Sequence, residues 1–137
     1  MNYTRRTVVL LAGRQVADLY DRAQWERCFV KLREIRSYDV DWNDEGGVPP
    51  TLQVVSQALS IAKILRTNRE PAPSRCHATD EGNIIMSWED TGEYFELEID
   101  ENLCCTGRWL RPGARRAELR LSMRSLNPPN RFDQEWT

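Results

Sequence analysis

The chain has 137 residues, the length of one domain, and a domain of that size buries enough surface to fold without disulfides or metal. Hydrophobic residues make up 40% of the sequence and charged residues 29%, which is typical of a soluble globular protein and excludes a disordered or fibrous chain. The formal net charge is −2, so no overall positive charge attracts the chain to nucleic acid or to a membrane surface.

The longest apolar run near the N-terminus has five residues, Val8 to Ala12. A membrane-spanning helix needs ~18 or more apolar residues, and the apolar core of a secretory signal is also longer than this run. We therefore expect a strand or extended arm over residues 1–12, no membrane association and a cytoplasmic location.

The four cysteines, Cys28, Cys76, Cys104 and Cys105, include no Cys-x-x-Cys pair, and His77 is the only histidine. A structural zinc site needs four such ligands at short spacings. The pattern therefore predicts free thiols in a reducing compartment, no metal and no cofactor.

Residues 14–37 contain no Gly or Pro and carry two apolar stripes at helical spacing. The first stripe is Val16, Leu19, Tyr20 and Ala23, and the second is Trp25, Cys28, Phe29, Leu32 and Ile35. Because the second stripe is rotated relative to the first, the helix either breaks near residues 21–24 or is covered on two sides. One long helix is the favoured interpretation.

Residues 38–50 contain a Gly pair and a Pro pair, which predict an irregular loop. Thr51 is typical of a helix N-cap. A second helix is predicted from Leu52 to Arg69, ended by Asn68 and by two nearby prolines. Its apolar stripe is formed by Leu52, Val55, Leu59, Ala62 and Leu65.

After Pro73 the pattern changes to alternation, which predicts five antiparallel strands joined by short turns. The strands cover residues 75–79, 84–89, 94–100, 103–110 and 116–124. Ile84, Met86, Trp88, Phe95, Leu97 and Ile99 are expected to face inwards. Helices followed by strands indicate an α+β domain over residues 1–126, with two N-terminal helices packed on one face of an antiparallel β-meander of about five strands. Residues 127–137 are expected to form an irregular tail.

Charge is distributed unevenly along the predicted strands. Residues 80–101 contain nine acids and no Lys or Arg, whereas residues 108–131 contain seven Arg and one acid, Glu118. In one interpretation, Glu and Arg side chains on neighbouring strands pair across the sheet. In the other, the arginines form an exposed basic face, with Trp109 available for stacking, that binds nucleic acid or an acidic protein. That face would comprise Arg108, Arg111, Arg116, Arg120 and Arg124.

The loop before the second helix is rich in acids, and Asp39, Asp41 and Asn43 have the spacing of a calcium-binding loop. The comparison fails where such a loop needs Gly and a bidentate Glu, because Asp44 and Pro50 occupy those positions. Asp and Asn side chains beside a Gly pair more often cap the backbone of a turn.

Trp42 in the same loop either packs on the core or serves as an interface anchor. With the acidic residues Asp44 and Glu45 beside it, it is a candidate partner-binding residue. A basic protein surface would complement the acidic edge formed by residues 80–101.

The segment from Asp41 to Gly47, followed by a helix, by Gly82-Asn83-Ile84 and by Trp88, resembles a family of small uncharacterised bacterial proteins. That family has a Trp-Asp-Gly-x-Gly-Ala-type loop, a helix and a Gly-x-Ile-x-x-x-Trp hairpin. The resemblance covers residues 40–101, and Asp44-Glu45 departs from it. It implies a helix followed by a hairpin and no catalytic residues, because the family has no established activity.

The sequence contains no phosphate-binding Gly loop, nucleophile elbow or metalloprotease motif. His77 and Cys76 are neighbours on a predicted strand, so their side chains point apart and cannot form a dyad. We therefore expect a non-enzymatic protein-binding module of antitoxin, immunity or defence-inhibitor type. The alternatives are a nucleic-acid-binding protein that uses the Arg-rich strands and a small enzyme that uses His77 or the Asp39–Glu45 loop.

Overall fold

A computed structural model of the protein describes residues 18–90, 92–110 and 117–121. Within these residues two helices are followed by five strands. The helices are α1 (Asp18–Ile35) and α2 (Leu52–Thr67), and the strands are β1 (Arg75–Ala78), β2 (Ile84–Asp90), β3 (Glu93–Ile99), β4 (Cys105–Leu110) and β5 (Ala117–Leu121). The predicted N-terminal arm, the first residues of the first predicted helix and the C-terminal tail lie outside the described residues. Neither described helix is both long and apolar enough to cross a membrane.

The five strands form one sheet in the order β1-β2-β3-β4-β5, and each strand is antiparallel to the next. The predicted meander is therefore confirmed. Ile84 pairs with Ile99, and Phe95 pairs with Trp109, so inward-facing residues lie side by side across the sheet. All six residues predicted to face inwards are buried.

Helix α1 runs without a break through residues 21–24, as the favoured interpretation predicts. The whole second stripe is buried in the core that the helices share with one face of the sheet. Trp25 is 2% exposed and its indole Nε1 donates a hydrogen bond to the carbonyl of Glu70, 3.2 Å away. Ala23 from the first stripe is exposed. The helix therefore packs through its second stripe, which covers the sheet.

Helix α2 begins after Thr51, whose hydroxyl accepts a hydrogen bond from the backbone N–H of Val54 at 3.2 Å. The predicted N-cap is thus confirmed. The side chains of Val55 and Leu65 are buried as predicted, but Leu52 is 67% exposed. The expectation that Leu52 belongs to the buried stripe is wrong, because the helix starts at this residue and its first side chain projects beyond the core.

Candidate functional site

The acidic loop is held together by its own side chains. The carboxylate of Asp41 accepts a hydrogen bond from the N–H of Gly46 at 2.6 Å, and the amide oxygen of Asn43 accepts from the N–H groups of Glu45 and Gly47 at 3.0 and 2.9 Å. The backbone N–H of Asp41 donates to the carbonyl of Gly47 at 2.8 Å, which closes the loop. These contacts confirm that the Asp and Asn side chains cap a backbone turn.

Two side-chain oxygens of the calcium-like pattern are thereby engaged by backbone donors. Asp41 and Asn43 each direct a side-chain oxygen to backbone donors within the loop. Over the described residues, no group of three or more His, Cys, Asp or Glu side chains is arranged to hold a metal ion.

Trp42 is half-buried and fixes the position of the loop relative to Tyr38, which follows helix α1. Its ring stacks on Tyr38 with the ring centroids 4.8 Å apart and the planes at 20°. The indole Nε1 donates a hydrogen bond to the carbonyl of Val48 at 3.2 Å, and the ring packs against the core. Of the two interpretations of Trp42, the contacts match the first, in which the ring folds back on the core and positions the acidic residues beside it.

The loop is joined to the turn between β1 and β2. The side-chain amide of Asn43 donates a hydrogen bond to the carboxylate of Asp80 at 2.7 Å, and the backbone N–H of Val48 donates to the carbonyl of Asp80 at 2.8 Å. At Gly82 a Cβ atom would lie 3.2 Å from the carbonyl oxygen of Pro49, so the two segments pack closely. In the meander, the β3–β4 turn lies at the same end of the sheet.

The three segments form a surface that we call the acidic end. Its eight carboxylates are those of Asp39, Asp41, Asp44, Glu45, Asp80, Glu81, Asp100 and Glu101. Residues 37–62 and 76–107, from which this surface is built, contain no Lys or Arg. Asp44 and Glu45 are exposed and form no side-chain hydrogen bond or ion pair with another described residue. At Asp44 and Glu45, the acidic end therefore has negative charge that no described residue neutralises.

Three exposed apolar side chains lie in the loop and at the start of α2 beside it, and we call them the apolar patch. Val40 is 83% exposed, Val48 is 54% exposed and Leu52 is 67% exposed. Val40 and Val48 flank the hydrogen-bonded pair of Asp41 and Gly47, so both lie at the point where the loop closes. Sequence reasoning missed Val40 and Val48, whose available signal was an apolar side chain in a segment with no periodic pattern, and it assigned Leu52 to the buried stripe.

The arginines predicted to form a basic face are placed differently. Arg108 lies in the middle of three carboxylates, with its Nη1 2.8 Å from Glu96, its Nε 2.7 Å from Glu118 and a further ion pair to Glu98. The remaining oxygens of the inner carboxylates are also bonded, because the Tyr94 hydroxyl donates to Glu96 at 2.6 Å. Cross-strand ion pairing is therefore confirmed for Arg108.

This cluster lies on the sheet face opposite the helices. The side chains of Glu96 and Glu98 are 13% and 17% exposed, and that of Arg108 is 23% exposed. Burial by itself would lower the pKa of Arg108, but hydrogen bonds to Glu98, Glu118 and Glu96 outweigh it and raise the pKa. Arg108 is thus permanently charged and neutralised within the fold, and it does not contribute to an exposed basic face.

Trp109 does not lie on an exposed face. It is 5% exposed and belongs to the core, because residues on a strand alternate and its neighbour Arg108 takes the opposite side. The expectation that Trp109 stacks on a ligand is therefore wrong. Arg120 is exposed, and Arg111, Arg116 and Arg124 lie outside the described residues.

His77 and Cys76 lie on opposite faces of β1, as predicted from their adjacency. Cys76 packs against the core, where a hydrogen bond with Cys28 and burial raise the pKa of its thiol. Burial and the charge of Arg75 lower the pKa of His77, so this side chain is neutral at pH 7. The structure brings neither a second histidine nor a thiol to the exposed side of His77 among the described residues.

Comparisons with protein-family models, with curated proteins and with solved structures found no match to this chain. Function is therefore inferred from the geometry of the acidic end, the apolar patch and the neutralised Arg108.

Proposed function

We propose that this protein is a binding module that docks its acidic end on a basic surface of a partner protein. The observation that carries the proposal is the coincidence of unneutralised carboxylates and exposed apolar side chains in one loop. Asp44 and Glu45 provide the charge, and Val40, whose side chain is 83% exposed, provides apolar surface in the same loop. Protein interfaces combine an apolar centre with a polar rim in this way.

The rigid construction of the loop supports the proposal. Side-chain caps from Asp41 and Asn43, the stacked Trp42 and the contact with Asp80 hold the loop in one conformation. A surface that is already ordered loses little conformational entropy on binding, so more of the interaction energy contributes to affinity. The charge also accelerates association with a basic partner.

Antitoxins, immunity proteins and defence inhibitors act by docking on a partner and blocking it. The proposed module is of this type, because it is a small domain with unevenly distributed charge. Nucleic acid is disfavoured as the partner, because the acidic end repels phosphate and Arg108 is already paired. No contact of the described residues favours an enzyme.

The experiment is a crosslinking capture from the native host with a photoreactive side chain at position 40, followed by affinity measurement with the captured protein. We expect D44N/E45Q to weaken binding by roughly tenfold or more and to reduce its salt dependence. The matched control is E26Q/E89Q, which removes two exposed carboxylates elsewhere and changes the net charge equally. Equal weakening by both pairs, or crosslinking to an acidic surface, would overturn the proposal.

A further inference from the structure

Two cysteines meet where helix α1 packs on strand β1. Cys28 faces the core from the helix and is 4% exposed, and Cys76 packs against the same core from the strand. Both are free thiols, and they share a hydrogen bond. The fold therefore brings into contact two sulfur atoms that are far apart in the sequence.

The other two cysteines, Cys104 and Cys105, lie elsewhere on the sheet. Cys105 begins strand β4, which is separated from β1 by strands β2 and β3. With a spacing of about 4.8 Å between neighbouring strands, Cys105 lies about 14 Å from Cys76 across the sheet. A disulfide needs Cα atoms within about 7 Å of each other. Cys105 therefore cannot replace Cys28 as the partner of Cys76 in the folded protein.

A cavity between α1 and β1 gives solvent access to the pair. Its volume is about 260 Å³, one side of it is open to solvent, and Cys28 and Cys76 both line it. The polar residues Gln24 and Ser74 line it as well. A water molecule occupies about 30 Å³ in the liquid, so a molecule as small as hydrogen peroxide can enter and reach the thiols.

The hydrogen bond gives the two sulfur atoms different roles. The bond to Cys28, burial and the negative charge of an ionised Cys28 all raise the pKa of the Cys76 thiol, and the charge of Lys31 opposes them. Cys76 therefore holds its proton and donates the hydrogen bond, and Cys28 accepts it. The thiolate is the nucleophilic form of cysteine, so the acceptor of the pair is the sulfur that reacts first.

We propose that Cys28 and Cys76 are a site of oxidative modification, at which hydrogen peroxide converts the two thiols into a reversible disulfide. The Cys28 thiolate attacks one oxygen of the peroxide, so that an S–O bond forms, the O–O bond breaks and the leaving hydroxide takes up the proton that Cys28 released. Cys76 then attacks the Cys28 sulfur, so that the S–S bond forms, the S–O bond breaks and the oxygen leaves as water with the proton of Cys76. Two thiols are oxidised and one peroxide is reduced to two molecules of water.

The second step is favoured by the first. Once Cys28 is an uncharged sulfenic acid, the negative charge that raised the pKa of Cys76 is absent. Disulfides of proteins in a reducing compartment are usually transient and respond to oxidants. This site is independent of the docking surface proposed above, because the two share no residue and the test of the disulfide needs no partner protein.

The experiment treats the reduced full chain with hydrogen peroxide in the presence of a metal chelator and maps the products by mass spectrometry without reduction. We expect the loss of two of the four thiols, one crosslink between the peptides that contain Cys28 and Cys76, and recovery of both thiols with dithiothreitol. Because the crosslink restricts the unfolded chain, the oxidised protein should melt about 10 °C higher than the reduced protein.

Single variants test the order of the two steps. In C76A, dimedone should trap a sulfenic acid at Cys28 roughly tenfold more than it traps one at Cys76 in C28A, because Cys28 makes the first attack. Stronger labelling of Cys76 in C28A would overturn that order.

The matched control is C104S/C105A, which removes the other two thiols and should form the same crosslink. Circular dichroism verifies that each variant is folded. The proposal would be overturned by a crosslink that involves Cys104 or Cys105, by survival of both Cys28 and Cys76 as thiols while Cys104 is oxidised, or by a melting temperature that falls on oxidation.

Discussion

The substitution R108Q tests the ion-pair cluster on the sheet face opposite the helices. Hydrogen bonds to charged groups contribute about 1.5–3 kcal/mol each, and two of the three partners of Arg108, Glu96 and Glu98, are less than one-fifth exposed. The third partner, Glu118, is 60% exposed and adds less than ~1 kcal/mol. Glu96 keeps a bond from Tyr94, so the carboxylates are not left without donors. We expect R108Q to lower the free energy of unfolding by about 2–4 kcal/mol.

Urea unfolding followed by tryptophan fluorescence measures this loss, because Trp25, Trp88 and Trp109 are all buried and report on the core. The matched control is R120Q, which removes an exposed arginine from the neighbouring strand and should change stability by less than about 0.5 kcal/mol.

The variant E96Q/E98Q/R108Q separates charge compensation from packing. It should recover most of the stability that R108Q loses, since neutral amides replace the two largely buried carboxylates and both partners of those two ion pairs are then removed. A loss below about 1 kcal/mol in R108Q would refute the reasoning, because charge-assisted bonds of largely buried groups contribute more than that. A triple variant as unstable as R108Q would refute it as well.

Three further predictions concern the loop and two titrating groups. G47A should disorder the loop and weaken partner binding, because its Cβ would lie 2.6 Å from the Asn43 amide oxygen. In the control G46A the Cβ meets no atom, so that variant has only the backbone strain of φ +80°. An NMR amide spectrum of the loop that is unchanged in G47A would contradict this prediction. Burial lowers the pKa of His77, so on acidification the unfolded state binds the proton before the folded state does, and the free energy of unfolding falls as the pH drops below about 6.5. H77Q should lack that part of the decline. An NMR titration that gives this histidine a pKa of about 6.5 or higher in the folded protein would contradict the prediction. Burial raises the pKa of Tyr94 to about 12. When tyrosine ionisation is followed by ultraviolet absorbance, Y94F should therefore lack the step at the highest pH.

The strands were predictable because the pairing of β2 and β3 depends on local alternation. Phe95, Leu97 and Ile99 are apolar at every second position, and a shift of one residue would expose all three. The N-cap at Thr51 was predictable for the same kind of reason, since a hydroxyl before a helix bonds a backbone N–H three residues away.

The candidate site was only partly predictable. Asp44 and Glu45 could be identified as exposed acids from the loop composition, but Leu52 was assigned to the core and Val40 and Val48 were not identified. Trp109 was assigned to the wrong face, because an arginine beside an aromatic residue suggests a stacking surface. The strand alternation that buries Phe95 also buries its partner Trp109.

The amino-acid sequence by itself determined the order of the helices and strands, the inward face of the sheet and the uneven distribution of charge, because periodicity, capping and composition act over a few neighbouring residues. Only the tertiary structure decided which charges meet. It placed Arg108 within reach of Glu96 and Glu98, whereas no cation among the described residues pairs with Asp44 or Glu45, although all of these residues belong to one near-neutral chain. The physical reason is that Coulomb energy depends on distance through the fold and on burial, and neither follows from separation along the chain.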